Sequence, residues 1–130
     1  MTTMTERAQQ VRLVEPLPGF PDEDDYTLAP IDDHGLLYSL RSARRPQLRF
    51  VLAPAEAFFA DYRPDVTSAV RLPLGSDDVN LLLVLTLGTG LADATANLRA
   101  PIAIASSTGR AVQIVLDDET LPMRAPLSGR

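Results

Sequence analysis

The sequence lacks several residue types, and their absence limits the chemistry open to it. It contains no cysteine and no tryptophan, and His34 is its only histidine. Disulfide bonds, thiolate metal sites and a cysteine nucleophile are therefore excluded. A serine hydrolase would need His34 as its base, and no serine has the Gly-x-Ser-x-Gly context of a strained nucleophile turn. These absences argue against an enzyme.

Long apolar segments are also missing. The longest apolar run covers residues 81–87, is interrupted by Thr86 and is far too short to cross a bilayer. Residues 1–10 are polar and do not contain the apolar core of a signal peptide. The sequence thus predicts a cytoplasmic protein with no membrane partner.

Lysine is absent, so arginine supplies all the positive charge, and the net charge is −5. An acidic chain repels phosphate backbones, which makes nucleic acid a poor candidate partner. The one basic cluster comprises Arg41, Arg44, Arg45 and Arg49. Two interpretations stay open for it: a solvated hairpin rim, or a patch that meets an acidic protein partner.

Short apolar segments separated by turn residues dominate the chain, which at 130 residues is the size of one domain. The pattern predicts an all-β fold, a small antiparallel β-barrel-like or sandwich domain with one short helix near residues 55–62. Residues 1–10 are expected to form a flexible N-terminus, 11–125 a single β domain and 126–130 a C-terminal tail. The predicted strands lie at 11–14, 26–31, 36–40, 47–52, 69–74, 79–87, 96–105 and 110–116.

The predicted helix is the only segment with convincing helical spacing. Pro54 suits its first turn, and Pro64 is expected to end it after about two turns. Phe58, Phe59 and Tyr62 share one face, which is more typical of core packing than of partner contact. Tyr62 is the most exposed candidate of the three, because its hydroxyl needs water or a partner.

Motifs that resemble reactive sites have simpler explanations. The adjacent acids Asp24–Asp25, Asp32–Asp33, Asp77–Asp78 and Asp117–Asp118 flank predicted strand ends, where aspartate favours turns. The Gly88-Thr89-Gly90 sequence begins like a dinucleotide-binding fingerprint, but position 93 is aspartate and no long helix is predicted to follow. His34 lies in a predicted hairpin loop. We therefore expect no cofactor and no metal.

The best-marked segment is nearly uncharged, spans residues 94–104 and is followed by a turn and a strand. Asn97 is a polar residue within it, interpreted as an amide bonded to nearby backbone or as a partner contact. Pro101 cannot donate to a strand ladder and so predicts an edge or a bulge. We expect these two residues to be exposed beside an open edge strand where a partner segment could dock.

Several blocks, in order, resemble the flagellar assembly factor FliW family. They are Leu17-Pro18-Gly19-Phe20; Leu48-Arg49-Phe50-Val51-Leu52-Ala53-Pro54 with Phe58-Phe59-Ala60-Asp61-Tyr62; and Thr95-Ala96-Asn97-Leu98-Arg99-Ala100-Pro101-Ile102 followed by Gly109 and Gln113-Ile114-Val115-Leu116. Together they span roughly residues 11–125, and their order and spacing make the resemblance specific.

The resemblance implies a small, monomeric β-barrel-like protein that is not an enzyme. Members of this family bind flagellin and also bind and antagonise the translational repressor CsrA, which couples flagellin level to its translation. Physically, two partners compete for one pool of the factor. The alternative is a generic small β-barrel adaptor that binds neither flagellin nor CsrA.

Net acidity suggests where such partners would bind. Asp61, Asp117 and Asp118 lie within or next to the blocks that resemble the family. We hypothesise that they form an acidic surface that meets a more basic partner. The candidate partner-binding residues are thus Asn97, Pro101, Tyr62, Asp61, Asp117 and Asp118.

Overall fold

A closed barrel of seven strands forms the centre of the molecule. The computed structural model describes residues 8–75, 78–90 and 93–127. Its strands and helices are β1 (Gln9–Leu13), β2 (Asp25–Pro30), β3 (Tyr38–Ser42), β4 (Arg49–Pro54), α1 (Ala55–Phe58), α2 (Thr67–Leu74), β5 (Asn80–Thr86), β6 (Thr95–Ala96), β7 (Ile102–Ala105), β8 (Arg110–Gln113) and β9 (Ala125–Pro126).

The barrel closes because β4 pairs with β5 as well as with β3. Around the ring the order is β4-β3-β2-β1-β8-β7-β5, and every pairing is antiparallel except that of β1 with β8. The expected all-β, barrel-like fold is confirmed. β1 begins at Gln9, so two residues of the predicted flexible N-terminus belong to the barrel wall.

Alternating side chains fill the barrel interior. Tyr26 and Leu28 on β2 are 1% exposed, whereas their neighbours Asp25 and Thr27 face outward. The β2–β3 turn has the predicted chemistry, since Asp32 Oδ1 accepts hydrogen bonds from the N–H groups of Leu36 and Leu37, both at 3.1 Å. Apolar packing inside a closed sheet therefore stabilises the scaffold.

The strand predicted at residues 69–74 is wrong, because this segment lies in helix α2. Val70 and Leu74 are both fully buried and four residues apart, so one helical face packs on Ala103, Ala105 and Val112 outside the barrel. Gly75 ends the helix with φ of 73°, in the left-handed region that favours glycine. The i, i+4 spacing and the glycine stop were the signals for a helix.

Helix α1 is shorter than predicted and ends at Phe58, well before Pro64. Phe59, at φ −135°, leaves the helix, and the chain turns so that Tyr62 donates its N–H to Phe59. This break lets Phe58, Phe59 and Tyr62 all pack on a second apolar cluster that includes Leu83, Ala96 and Leu98. The predicted core role of the three aromatic residues is confirmed.

The predicted strand at residues 96–105 is split into β6 and β7 by a bend at 97–101. β6 pairs with β5 on one side and with β9 on the other. Leu127, just after β9, is 7% exposed and belongs to the second apolar cluster. The start of the predicted C-terminal tail thus packs on the barrel.

Candidate partner-binding surface

The bend formed by residues 97–101, here called the junction segment, connects four parts of the molecule. Asn97 donates its N–H to Val84 on β5 at 3.1 Å, and Leu98 donates to Pro122 near the C-terminus at 3.0 Å. The Pro101 carbonyl accepts from Ile114 at 2.9 Å. The segment's backbone is therefore used by the fold itself, as buried backbone groups require.

Arg99 ties the C-terminal loop to this segment. Its Nε donates to the Leu121 carbonyl at 3.1 Å, and its terminal NH2 nitrogen donates to the carbonyls of Glu119 and Leu121, both at 3.0 Å. In return, the Arg99 carbonyl accepts from Leu116 at 2.8 Å. The rigid guanidinium fork thus fixes the path of residues 116–121.

Tyr62 supplies the fourth connection. Its hydroxyl donates to the Leu98 carbonyl at 2.7 Å. Burial raises the pKa of Tyr62 to about 12, because the phenolate would be poorly solvated. The Tyr62 hydroxyl was expected to need water or a partner, and it bonds instead to an acceptor within the protein.

Neither Asn97 nor Pro101 is as exposed as expected. Asn97 is half-buried, and its Oδ1 accepts the Arg99 N–H at 2.9 Å, so the interpretation as a backbone-bonded amide holds. The expected exposure of Pro101 is wrong, because the residue is fully buried. The expected open edge is also wrong: β6 and β7 each have partner strands on both sides.

An apolar recess opens beside the junction segment, and we call it the end groove. Its volume is about 360 Å³. Phe20 and Phe50 form part of its wall in an edge-to-face pair, with ring centroids 5.6 Å apart. Val115 and Met123 form another part and are 71% and 57% exposed. Exposed apolar surface of this kind marks a binding site more often than a lone exposed residue does.

Val115 is exposed because it lies between two half-buried residues of an extended segment. Ile114 and Leu116 hold that segment in place by donating to the carbonyls of Pro101 and Arg99, and successive side chains of an extended segment point to opposite faces. Sequence reasoning missed the end groove, since its walls come from six separate parts of the chain. The Pro-Gly-Phe turn ending at Phe20 was the one partial signal.

The acidic residues divide between turn chemistry and free surface. Asp118 accepts hydrogen bonds from the Thr120 N–H at 3.0 Å and from its hydroxyl. These bonds hold the pKa of Asp118 below its ordinary value, and the charge of Arg99 acts in the same direction. Asp117 and Asp61 are exposed. The turn interpretation holds for Asp118, whereas Asp77 lies outside the described residues.

Groups suited to catalysis do not converge on the groove. Within residues 8–75, 78–90 and 93–127, no three His, Asp or Glu side chains are placed to hold a metal ion. The groove's polar lining consists of Asn97, Arg99 and Gln113, and each of them hydrogen-bonds to the backbone. The arrangement can hold an apolar side chain by packing.

Among the helices in the described part of the chain, none has both the length and the apolar character needed to cross a bilayer. Together, barrel and groove define a small β protein with a recessed apolar surface near one end of the barrel.

Comparison with known proteins identifies the family to which this chain belongs. A family model described as "FliW protein" matches residues 1–127. Flagellar assembly factor FliW from Shouchella clausii is 34% identical over 114 residues, covering 85% of this chain and 78% of the relative. The same factor from Syntrophotalea carbinolica is 36% identical over 120 residues, covering 90% and 85%. The chain therefore belongs to the FliW family.

The fold agrees with that assignment. A crystal structure of the flagellar assembly factor FliW superposes with a TM-score of 0.84 at 28% identity, covering 93% of this chain and 86% of that one. These relatives are named as assembly factors rather than as enzymes.

Proposed function

We propose that this protein is a monomeric, non-enzymatic, cytoplasmic assembly factor that binds flagellin and CsrA. The observation that carries the proposal is the end groove in a chain of the FliW family. Val115 and Met123 expose apolar surface there although the barrel core is complete without them. Such surface is costly in water unless a partner covers it.

Competition between flagellin and CsrA for this protein would regulate flagellin translation. When flagellin is abundant, it occupies the factor, and CsrA is released to repress flagellin translation. When flagellin is scarce, the factor binds CsrA and relieves repression. This behaviour needs only that binding of one partner lowers affinity for the other, either at one surface or through coupled sites.

Charge on the C-terminal loop supports a role for electrostatics. Asp117 and Asp118 directly follow the segment that carries Val115, and both are exposed. We propose that these two residues and Asp61 contribute to an acidic surface that meets the more basic partner. Asn97 lines the groove as a neighbouring polar contact, whereas Tyr62 and Pro101 support the junction segment from within.

The direct test is capture of purified flagellin and CsrA by the tagged protein. We expect both to bind, and flagellin to displace CsrA as its concentration rises. Capture of neither would contradict the proposal and favour the alternative, a generic adaptor that binds other proteins.

Charge reversal tests the acidic surface. Asp117→Lys/Asp118→Lys should weaken binding of the basic partner and reduce the salt dependence of that binding. Glu15→Lys/Asp33→Lys changes the net charge equally and should do neither. Equal loss in both variants would leave only a net-charge effect.

A further inference from the structure

The outer face of strands β1–β4 carries a row of polar side chains in register. Gln10 is paired with Thr27, Thr27 with Arg41, and Arg41 with Arg49. Their chain neighbours Val11, Leu28 and Leu40 are buried inside the barrel. Because side chains alternate along a strand, the four polar residues share the outer face. We call this set the outer row.

Two like charges oppose each other directly in this row. Arg41 and Arg49 are an antiparallel cross-strand pair, and both are exposed. Like charges in such positions destabilise a sheet. In the part of the chain that the structure describes, neither arginine side chain makes a hydrogen bond or an ion pair. Both guanidinium groups are thus accessible to a partner that carries negative charge.

Nearby arginines differ because each has a partner. Arg12 lies 3.5 Å from Asp24 and 3.6 Å from Asp25. Arg45 lies 3.8 Å from the buried Glu23, and Arg44 donates to the Asp22 carbonyl at 3.2 Å. The basic cluster predicted from the sequence therefore has two parts. Arg44 and Arg45 bind residues 22–23 just before β2, whereas the side chains of Arg41 and Arg49 have no such partner.

We propose that the outer row is a docking surface for an acidic segment of a protein partner. Two adjacent guanidinium groups match carboxylates, each of which accepts paired N–H donors from arginine. A concavity of about 470 Å³ lies at the Gln10–Thr27 end of the row, where its lining also includes Arg12 and Asp25, whose side chains lie 3.6 Å apart. The Gln10 amide and the Thr27 hydroxyl can bond to the backbone of an extended segment.

A nucleic acid fits this surface less well. Single-stranded binding uses aromatic rings on which bases stack, but Tyr26 and Phe50, the aromatic residues beside the row, pack against each other with ring centroids 6.4 Å apart. A longer polyanion would also meet the repulsion of a chain with net charge −5. A short acidic peptide touches only the arginine pair and its neighbours. The inference is independent of binding to flagellin or CsrA.

The test is backbone-amide NMR of the intact protein at low salt, titrated with a ten-residue glutamate peptide. We expect shifts confined to residues 39–42 and 49–51 and their strand neighbours. Affinity should fall at least fivefold in Arg41→Gln/Arg49→Gln. It should hold within twofold in Arg63→Gln/Arg124→Gln, a control that removes the same charge from exposed positions elsewhere.

Three results would overturn the inference. One is no peptide binding to the unmodified protein, and another is equal weakening in both double variants. The third is a ten-nucleotide oligothymidine that shifts the same amides with equal or greater affinity, because the surface would then favour nucleic acid. A thermal melt of each variant checks that the barrel is still folded.

Discussion

The junction segment and the end groove lie side by side, yet they use their residues in opposite ways. Asn97, Arg99 and Pro101 in the junction segment direct their polar groups to the protein's own backbone. Val115 and Met123 in the groove are apolar and yet largely exposed. The comparison shows that the residues that stand out in the sequence stabilise the fold. The exposed apolar residues beside them, which do not stand out, are the ones available to a partner.

Arg99 provides the strongest test of the supporting role. Arg99→Ala removes hydrogen bonds from a charged donor to the carbonyls of Glu119 and Leu121. We expect the free energy of unfolding to fall by about 2 kcal/mol, measured by urea denaturation. Arg124→Ala, at an exposed position, should change it by less than about 0.5 kcal/mol. If the two variants lowered the free energy of unfolding equally, the claim that Arg99 stabilises the fold through the C-terminal loop would be wrong.

Tyr62 tests the connection from the other side. Tyr62→Phe loses the hydrogen bond to Leu98 but keeps the ring, and should lower the free energy of unfolding by about 1 kcal/mol at pH 7. Because the pKa of Tyr62 is raised to about 12, its stabilising effect is full below pH 10 and is lost as pH rises through 12. The two proteins should therefore converge in alkaline urea titrations. A constant difference across that range would contradict this account.

Asn97 should have a smaller effect. Asn97→Ala removes the acceptor for the Arg99 N–H and is expected to cost about 0.5–1 kcal/mol in urea denaturation. Asn97→Asp keeps an acceptor oxygen at that place and should retain most of the stability. If alanine and aspartate were equally destabilising, the side-chain hydrogen bond would not explain the residue.

Asp118 should have the smallest effect, because its carboxylate is exposed to solvent. Its lowered pKa means that its contribution to stability is present above the ordinary aspartate value and is lost as pH falls through the folded-state value. We therefore measure the urea concentration at half-unfolding as a function of pH. Below about pH 4 it should fall less steeply in Asp118→Asn than in the unmodified protein. Asp33→Asn, at an exposed position in the β2–β3 turn, is the control. An unchanged acid limb in Asp118→Asn would refute the role of Thr120.

Local pattern was enough to predict most of the barrel. Alternation of apolar and polar residues located β2, β4 and β5 to within a few residues, because one face of each must be buried. It failed for α2, where a short apolar run suits either a strand or a helix. The i, i+4 spacing of Val70 and Leu74 and the stop at Gly75 were weak local signals for a helix, and packing on β7 and β8 decides in its favour.

The candidate site was harder to predict, for a physical reason. Asn97 and Pro101 attract attention because each breaks the pattern of its segment, but a break in pattern does not say which way a residue faces. The end groove depends on closing the barrel, which brings Phe20 and Phe50 near Val115 and Met123. Long-range closure of this kind is visible only in the folded chain.

The most direct test of the central claim is calorimetric titration of purified flagellin into Val115→Ser/Met123→Ser. The account predicts at least tenfold weaker binding with the free energy of unfolding changed by less than about 0.5 kcal/mol, since both residues are exposed. The control is Ile31→Ser/Leu36→Ser, which changes two exposed apolar residues in the β2–β3 turn, outside the groove lining. It should bind flagellin normally. Normal binding by Val115→Ser/Met123→Ser would contradict the claim that the end groove receives the partner.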